Sequence, residues 1–390
     1  MYSVSCGNWN NADDAGLGCR NFNNNRSNSN NNTSFRASDY ISSPETDKSD
    51  TGEIGMTFPV IKKITKSAKS MTASPSCSYK HFLNINTLYD GYLSARKHKR
   101  NKKAIYEFEK SLGINLLKLL DELKTFTYKP NKYRTFYVHE PKQRLIVAPA
   151  FRDSIVQHTI YNYIYNLFDR SFIFDSYGCR KEKGTHKASA RLQTFMRKHN
   201  NEKYYLQLDI RKYYYQINHE ILNKMLYKRI EDQRVVKLIM HFVNKEQEKG
   251  LYVGNVLSQL FGLIYLNPLD HYIKRELKIK HYIRYVDDFI LIGLEKTEAN
   301  IFKKKIEIFL EEELKLELSK FRIAKIKKGC NFVGFRTWKS LKFIRKHTLH
   351  NFTKALKKNK QKSIISILGH AKHSSSHKYL ISKLGENNAI

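Results

Sequence analysis

The stretch that most constrains the fold of this chain is residues 281–292, where apolar and β-branched residues flank two adjacent carboxylates. The pattern predicts two short strands that meet at a tight turn, with Asp287 and Asp288 at its tip. Neighbouring aspartates in a buried run repel each other unless a cation neutralises them. The stretch therefore indicates a cation site, with an ordinary solvated Asp-Asp turn as the plainer alternative.

The charge of the chain indicates a polyanionic partner. Its 390 residues include 70 Lys and Arg against 36 Asp and Glu, a formal net charge of +34, which favours nucleic acid or an anionic membrane surface. No run approaches the ~18 apolar residues that a membrane span needs, and the N-terminus lacks a secretory signal pattern. The 5 cysteines have no close pairs and predict neither a zinc site nor disulfides. We expect a cytoplasmic protein that binds nucleic acid and no membrane.

Composition divides the chain into four segments. Residues 1–44 are Asn-rich and predict a disordered N-terminal extension, and residues 45–78 predict a Ser-, Thr- and Lys-rich linker. Ordered sequence is expected over 79–338. Residues 339–390 are expected to form a basic helical unit, because the stretch 318–385 contains 18 Lys or Arg and no Asp or Glu. A surface of one sign suits a phosphate backbone.

Hydrophobic periodicity predicts a mixed α+β domain between these ends. Helices are predicted at 104–126, 151–168, 187–198, 219–229 and 233–244, in an apolar stretch that ends near 277, and at 298–317. Strands are predicted at 136–138, 144–148 and 204–210, in the two arms of 281–292, and as a short pair or turn at 331–335.

A second carboxylate lies at the end of a predicted strand. Asp209 follows the apolar residues 204–208 and precedes the basic and aromatic residues 211–215. Nucleotidyl transfer uses two divalent ions a few ångströms apart, and Mg²⁺ prefers carboxylate and phosphate oxygens. An Asp at a strand end is more often a cap or a turn residue, but together with the hairpin we interpret Asp209 and Asp287 as metal ligands.

Several short motifs follow one another along the chain. They are Lys142-x-Arg144, Ser176-Tyr177-Gly178 with Gly184-Thr185-His186, Asp209, Gly254…Ser258, Tyr285-Val286-Asp287-Asp288 and Phe332-Val333-Gly334-Phe335. This order resembles the blocks of reverse transcriptases, over about residues 79–380. The resemblance implies a right-hand polymerase of the α+β class, with fingers from about 79 to 203, a palm with an antiparallel sheet, and a helical thumb from about 339.

The resemblance also implies roles for single residues. Asp209 and Asp287, assisted by the Ile210 carbonyl, would bind two Mg²⁺ ions, with Mn²⁺ as the alternative metal, and Asp288 would be the third carboxylate. Lys142 and Arg144 would hold the triphosphate of a dNTP, since the Arg fork matches phosphate oxygens. For this last pair a solvated turn is the alternative.

Further positions would shape the substrate and primer sites. Tyr214 matches an aromatic gate against a ribose 2′-hydroxyl, with a core aromatic as the alternative. Gly254 would allow close approach to the incoming base pair. The remaining implied roles are pocket shaping by Val253 and Gln259, proton donation to pyrophosphate by Lys320, and primer contact by Phe332 and Gly334. The implied partners are template RNA, a primer and the cDNA.

Within the family, the chain most resembles the reverse transcriptases of diversity-generating retroelements. Residues 253–259 match its aliphatic-Gly-x-x-x-Ser-Gln motif, where most relatives have Gln-Gly-x-x-x-Ser-Pro, and residues 151–158 lead into 176–181 as in that branch. Residues 7–37, within a tract where eleven of the 25 residues 8–32 are Asn, resemble a translated template repeat; plain Asn-rich disorder is the alternative. The branch implies a bacterial or phage-encoded enzyme that copies template RNA with errors at adenines, beside a small basic accessory protein.

Other interpretations stay open at this point. Within the same enzyme class, the chain is compatible with a retron-type, group II intron-like or phage-defence reverse transcriptase. A catalytically inactive, RNA-binding relic of the fold is the alternative from another class, although retained carboxylates at Asp209, Asp287 and Asp288 disfavour it.

Overall fold

The computed structural model describes residues 79–139, 143–243 and 247–388. The Asn-rich segment 1–44, the linker 45–78 and Lys142 lie outside the described residues, so the predictions made for them stay predictions. Within the described ranges helices and antiparallel strands are mixed along the chain, and the predicted α+β class is confirmed. In the same ranges no helix combines the length and apolarity needed to cross a bilayer.

The first half of the described chain is helical around one β-hairpin. Its elements are α1 (Tyr79–Phe82), α2 (Ile85–Arg96), α3 (Lys103–Glu109), α4 (Leu112–Lys124), β1 (Arg134–Val138), β2 (Arg144–Ala148), α5 (Phe151–Asp169) and α6 (Thr185–Arg197). The predicted helix 104–126 is therefore two helices that part just before Gly113. The predicted hairpin is present, and β1 pairs antiparallel with β2.

The second half contains the larger sheet and a helical end. Its elements are β3 (Tyr204–Ile210), α7 (Tyr213–Gln216), α8 (His219–Tyr227), α9 (Gln233–Met240), α10 (Val256–His271) with a π-helical turn (Tyr272–Glu276), β4 (Tyr282–Tyr285), β5 (Asp288–Leu294), α11 (Lys296–Leu314), β6 (Leu318–Lys325), a 3₁₀ turn (Ile326–Lys328), β7 (Cys330–Phe332), β8 (Phe335–Thr337), β9 (Lys342–Ile344), α12 (Lys346–Lys357), α13 (Gln361–Ala371) and α14 (His377–Asn388).

The strands form three antiparallel sheets in the described part of the chain. The largest has four strands in the order β4-β5-β3-β6, and β7-β8-β9 form a separate three-stranded sheet. No strand is predicted at β6 from the sequence, because its residues lack the apolar alternation of a half-buried strand. In the structure four consecutive residues, Ser319 to Arg322, are exposed. β6 lies at the edge of its sheet, where exposed Lys and Arg are common. The three helices α12–α14 follow the small sheet.

Two helices pack against the large sheet, α6 against β4 and β5 and α11 against β3 and β6, and the most buried helix, α10, packs against α11. α10 is buried on nearly all sides, with a continuous run from Leu260 to Leu266 hidden from solvent, as expected for a helix that is apolar all round. α10 packs against α5, and α5 in turn packs against α2. The sheet therefore packs against helices, with the buried α10–α5–α2 layer joined to them through α11.

A buried ion pair joins the predicted aspartate hairpin to α10. Arg284 of β4 is fully buried, and its guanidinium donates to both carboxylate oxygens of Asp270, at 2.7 and 2.5 Å. Its third contact is a 2.9 Å hydrogen bond to the Val286 carbonyl in the hairpin turn. Burial opposes the charge of Arg284, but the adjacent Asp270 carboxylate raises the pKa of the guanidinium. The pair thus fixes the turn against the core.

We expect Arg284→Met to lower the free energy of unfolding by about 3–5 kcal/mol, because it leaves the Asp270 carboxylate buried without its cation. Arg284→Met combined with Asp270→Leu should recover much of that stability. The matched control is Arg211→Met, whose pair with Glu317 is exposed and should matter by less than about 1 kcal/mol. Denaturant unfolding measures all three; equal effects at Arg284 and Arg211 would refute the anchoring role.

Candidate active site

The pairing of β3 with β5 brings the predicted carboxylates together. Asp209 of β3 is the direct cross-strand partner of Asp288 of β5, and directly opposite residues point to the same face of a sheet. Asp287 precedes Asp288 in the two-residue turn that joins β4 to β5, where Tyr285 pairs with Asp288. Two distant segments of the sequence therefore bring three carboxylates together at one end of the large sheet.

The hairpin turn is held in an uncommon backbone conformation. Val286 has φ 57°, in the left-handed region that β-branched residues rarely adopt. Residues 175–177 support this turn through two backbone hydrogen bonds. The Tyr177 N–H donates to the Arg284 carbonyl at 2.9 Å, and the Arg284 N–H donates to the Asp175 carbonyl at 3.0 Å. A Cβ on Gly178 would lie 2.4 Å from Cγ2 of Val286. Only glycine at 178 leaves room for this turn.

Asp288 is the most buried of the three carboxylates, with 6% of its surface exposed. Burial, together with the negative charges of Asp209 and Asp287, raises its pKa to about 8, against a hydrogen bond from Gln207 and the charge of Arg345, which lower it. The Gln207 amide donates to Asp288 Oδ1 at 2.9 Å and to the Asn331 carbonyl at 2.9 Å. Gln207 therefore ties Asp288 to the three-stranded sheet.

Asp209 is half-buried and also contacts β6, the strand on the opposite flank of β3 from β5. The Ser319 hydroxyl donates to Asp209 Oδ2 at 2.7 Å. Lys320 is the cross-strand partner of Asp209 on β6, so its exposed side chain shares a face with the carboxylates. The register shifts between Asp209 and Ile210, and such irregularities occur often beside active sites.

The donor set fits a hard divalent cation. Carboxylate oxygens are the ligands that Mg²⁺ prefers. Burial first, and then the negative charges of Asp209 and Asp287, raise the pKa of Asp288, and a cation would neutralise those charges. Over residues 79–139, 143–243 and 247–388, no group of three or more His, Cys, Asp or Glu is arranged to hold a metal ion.

The β1–β2 hairpin and the loop before α10 form one unit. The Val147 N–H donates to the Val253 carbonyl at 2.9 Å, and Val253 packs against Ile146 of β2. Arg144 begins β2, while Lys142 lies outside the described residues. Gly254 has φ 126°, a conformation that favours glycine. Arg144, Val253 and Gly254 therefore lie on two segments that a backbone hydrogen bond joins.

Tyr214 and Gln259 are both half-buried in this part of the palm. Tyr214 lies in the short helix α7, and a Cβ on Gly262 of α10 would lie 3.2 Å from its ring. Its carbonyl accepts the Leu251 N–H at 2.7 Å. The ring therefore packs partly against α10, as the core-aromatic alternative requires, while its remaining surface is exposed.

The turn between β7 and β8 carries the predicted primer contacts. Phe332 is fully buried. Its ring therefore packs in the core, and only its backbone lies at the turn. Val333 has φ 42° and Gly334 has φ 89°. A Cβ on Gly334 would lie 3.0 Å from Nε2 of His370 in α13, which shows how closely the helical end packs on this turn.

The residues that support the carboxylates were not predicted from the sequence. Gln207, Arg284 and Asp270 are all polar residues inside apolar runs, and each makes hydrogen bonds in the interior. Because buried polar groups need partners, an isolated polar residue within a buried strand is the signal that could have identified them. Which partner each one takes could not be found without the fold.

An antiparallel sheet with carboxylates gathered at one end, between helical layers, is the arrangement expected of a right-hand polymerase. The chain belongs to the reverse transcriptase (RNA-dependent DNA polymerase) family, whose model matches residues 129–337. The predicted family and enzyme class, RNA-directed DNA polymerase, are thereby confirmed. The branch within the family is a matter for proposal.

Several known proteins are similar to the chain. Protein YkfC of Escherichia coli (strain K12) is 26% identical over 272 residues, covering 58% of this chain and 71% of YkfC. The group II intron-encoded protein LtrA of Lactococcus lactis subsp. cremoris is 22% identical over 360 residues, covering 72% of this chain and 59% of LtrA. A telomerase structure from Candida albicans is 11% identical with a TM-score of 0.43, covering 66% of this chain and 58% of that chain. The chain spans less than two thirds of LtrA and of the telomerase.

We expect Gly178→Ala to reduce primer extension by about 10²-fold, because a new Cβ would lie 2.7 Å from the backbone nitrogen of Val286 and displace the aspartate turn by a fraction of an ångström or more. Gly113→Ala is the control, since nothing lies within 4 Å of a Cβ there. Thermal melting checks that both variants fold. Extension at the wild-type rate by Gly178→Ala would contradict the role assigned to this contact.

Proposed function

We propose that the protein copies a template RNA into cDNA by two-metal nucleotidyl transfer. The observation that carries the proposal is the register of β3 and β5, which pairs Asp209 with Asp288 and sets Asp287 beside them. Bound Mg²⁺, or Mn²⁺, would supply an activated 3′-hydroxyl and a neutralised triphosphate. The family requires divalent ions in general, and the oxygen-only donor set favours Mg²⁺ among them.

Each residue of the chain would have a distinct task in this reaction. The carboxylates of Asp209 and Asp287, with the Ile210 carbonyl, would hold the ions, and Asp288 would balance their charge from the buried side. Arg144, with Lys142, would orient the triphosphate of the dNTP. Lys320 would donate a proton to the departing pyrophosphate, in keeping with its position opposite Asp209 on β6.

Selection of the nucleotide would fall to the loop and helices beside the carboxylates. Tyr214 would exclude a ribose 2′-hydroxyl with the exposed part of its ring. Gly254, whose φ of 126° suits only glycine, would let the base pair approach the backbone, with Val253 and Gln259 at its edges. The turn at Phe332 and Gly334 would hold the primer end through its backbone.

We further propose the diversity-generating branch, with error-prone copying and a small basic accessory protein. The motif from Val253 to Gln259 supports it, as does the likeness of residues 7–37 to a translated template repeat. A group II intron-like enzyme is the second candidate, and the similarity to LtrA favours it. Retron-type and phage-defence enzymes, and an inactive RNA-binding relic, complete the alternatives.

The first test is primer extension on an RNA template with dNTPs and Mg²⁺. Asp287→Ala should lower the rate by about 10³-fold or more, because metal-ion stabilisation contributes several kcal/mol to the transition state. Asp90→Ala is the control, since Asp90 is an exposed carboxylate on α2, and it should extend normally. Undiminished extension by Asp287→Ala would refute the metal site. Absence of extension by the wild-type protein, even with a basic accessory protein, would favour the relic.

The second test is the error spectrum of the product. If the branch proposal is right, sequenced cDNA should carry substitutions concentrated opposite template adenines, because the pocket shaped by Val253, Gly254 and Gln259 would tolerate mispairs there. A template with matched numbers of each base provides the internal control. Errors spread evenly over the four template bases would reject this branch in favour of the group II intron-like or retron-type alternatives.

A further inference from the structure

The first turn of α5 has no task in the proposed reaction, yet it contains a buried carboxylate. Asp153 is completely buried, and each of its two oxygens accepts a hydrogen bond. The Tyr128 hydroxyl donates to Oδ1 at 2.7 Å, and the Asn131 N–H donates to Oδ2 at 2.9 Å. Burial raises the pKa of Asp153, against these two hydrogen bonds, which lower it. A buried carboxylate is costly unless its donors stay in place.

Arg152, the preceding residue, binds the same segment of the chain. Its guanidinium carbon lies 4.9 Å from the centre of the Tyr128 ring, and its Nη1 donates to the Asn131 side-chain oxygen at 3.3 Å. Arg152 and Asp153 together therefore fasten residues 128–131 to the start of α5. We call these contacts the α5 latch.

The α5 latch lies at the base of the β1–β2 hairpin. One end of the hairpin follows residues 128–131, since β1 begins at Arg134. The other end leaves β2 at Ala148 and enters α5 at Phe151. The latch therefore joins the two ends of the hairpin to each other. It joins them to a fixed support, because most residues of α5 are buried.

A second set of contacts leads from the latch to β2. The rings of Tyr133 and Tyr252 pack edge to face, with their centres 5.2 Å apart. Burial, and then the charges of Asp153 and Tyr252, raise the pKa of the Tyr133 hydroxyl, so this hydroxyl lies within electrostatic reach of the latch. Tyr252 precedes Val253, whose carbonyl accepts the Val147 N–H of β2 at 2.9 Å. The hairpin is thus attached at its base and along β2.

We propose that Asp153 is a positioning residue for the dNTP: it fastens the β1–β2 hairpin and thereby fixes where Arg144 meets the triphosphate. The inference rests on the proposed task of Arg144. Small displacements of a group that positions a substrate are costly to the reaction. The plainer role of an Asp in the first turn of a helix is to stabilise that helix. Such a role would lower the free energy of unfolding without changing the affinity for dNTP.

Hydrogen exchange tests the latch without catalysis. The reporter is the Val147 N–H, which is bonded to Val253 and lies outside the latch. Asp153→Ala should speed its exchange by about tenfold or more, because the hairpin detaches more often once its acceptor is lost. Asp153→Asn should stay within about threefold of the wild type, since the amide can accept from the Asn131 N–H and donate to the Tyr128 oxygen. Unchanged exchange in Asp153→Ala would overturn the proposal.

Two further variants guard against a general loss of stability. Tyr128→Phe keeps the buried ring and removes only the hydroxyl, so it should fold even where Asp153→Ala does not, and it should speed exchange at Val147 by about threefold or more. Asp232→Ala is the matched control, because Asp232 also accepts a distant backbone N–H, that of Tyr79 at 2.8 Å, but it joins α9 to α1. Equal acceleration at Val147 in this control would overturn the latch.

Primer extension then separates positioning from stability. Asp153→Ala should raise the KM for dNTP by about tenfold with kcat and the affinity for primer and template little changed, and Asp153→Asn should restore the wild-type KM. Faster exchange at Val147 with an unchanged KM would overturn the positioning role alone, as would an equal rise of KM in Asp232→Ala. Absence of extension by the wild-type protein would instead contradict the proposed function, whatever the exchange at Val147 shows.

Discussion

The structure depends above all on the contact between Arg284 and Asp270. It is a fully buried ion pair, and the Tyr282 hydroxyl adds a 2.7 Å hydrogen bond to the same carboxylate. Charges of this kind are weak evidence for stability but strong determinants of geometry, since each needs its partner in one place. Here the ion pair determines the position of the turn that carries Asp287. The arginine holds that turn through the Val286 carbonyl, and α10 holds the arginine.

The burial and mutual repulsion of the carboxylates destabilise the fold that brings them together. Asp288 is buried among like charges, and burial is the larger reason that its pKa rises to about 8. The left-handed Val286 adds local backbone strain, which in proteins tends to concentrate at functional sites. Compensation comes from the surroundings: a hydrogen bond from Gln207, the charge of Arg345 and the close packing of Gly178. The site is thus costly for the apo protein and suited to a cation.

Much of this could be predicted from the sequence, for physical reasons that differ between elements. The hairpin of Asp287 and Asp288, the strand 204–210 and the helix 151–168 could be predicted because apolar periodicity and turn residues act locally. β6 could not be predicted, because an exposed edge strand carries no apolar alternation. It forms its backbone hydrogen bonds with the distant strand β3. The proximity of Asp209 to Asp287 was inferred from chemistry, with Asp288 as a third carboxylate, and the direct pairing of Asp209 with Asp288 became known only from the strand register. The partners of Gln207 and Arg284 depend on contacts between distant segments, which no local pattern encodes.

The amide of Gln207 has a consequence for the way the two sheets move. Both N–H bonds of one planar NH₂ group are engaged, one with the Asp288 carboxylate and one with the Asn331 carbonyl. Hydrogen bonds tolerate only a few tenths of an ångström before they weaken. The amide therefore acts as a spacer of fixed length between the catalytic edge and the turn that follows Asn331. Any shift of one sheet must either carry the other with it or break one of these two hydrogen bonds, so a single neutral side chain fixes the spacing between the carboxylates and the turn that we propose holds the primer end.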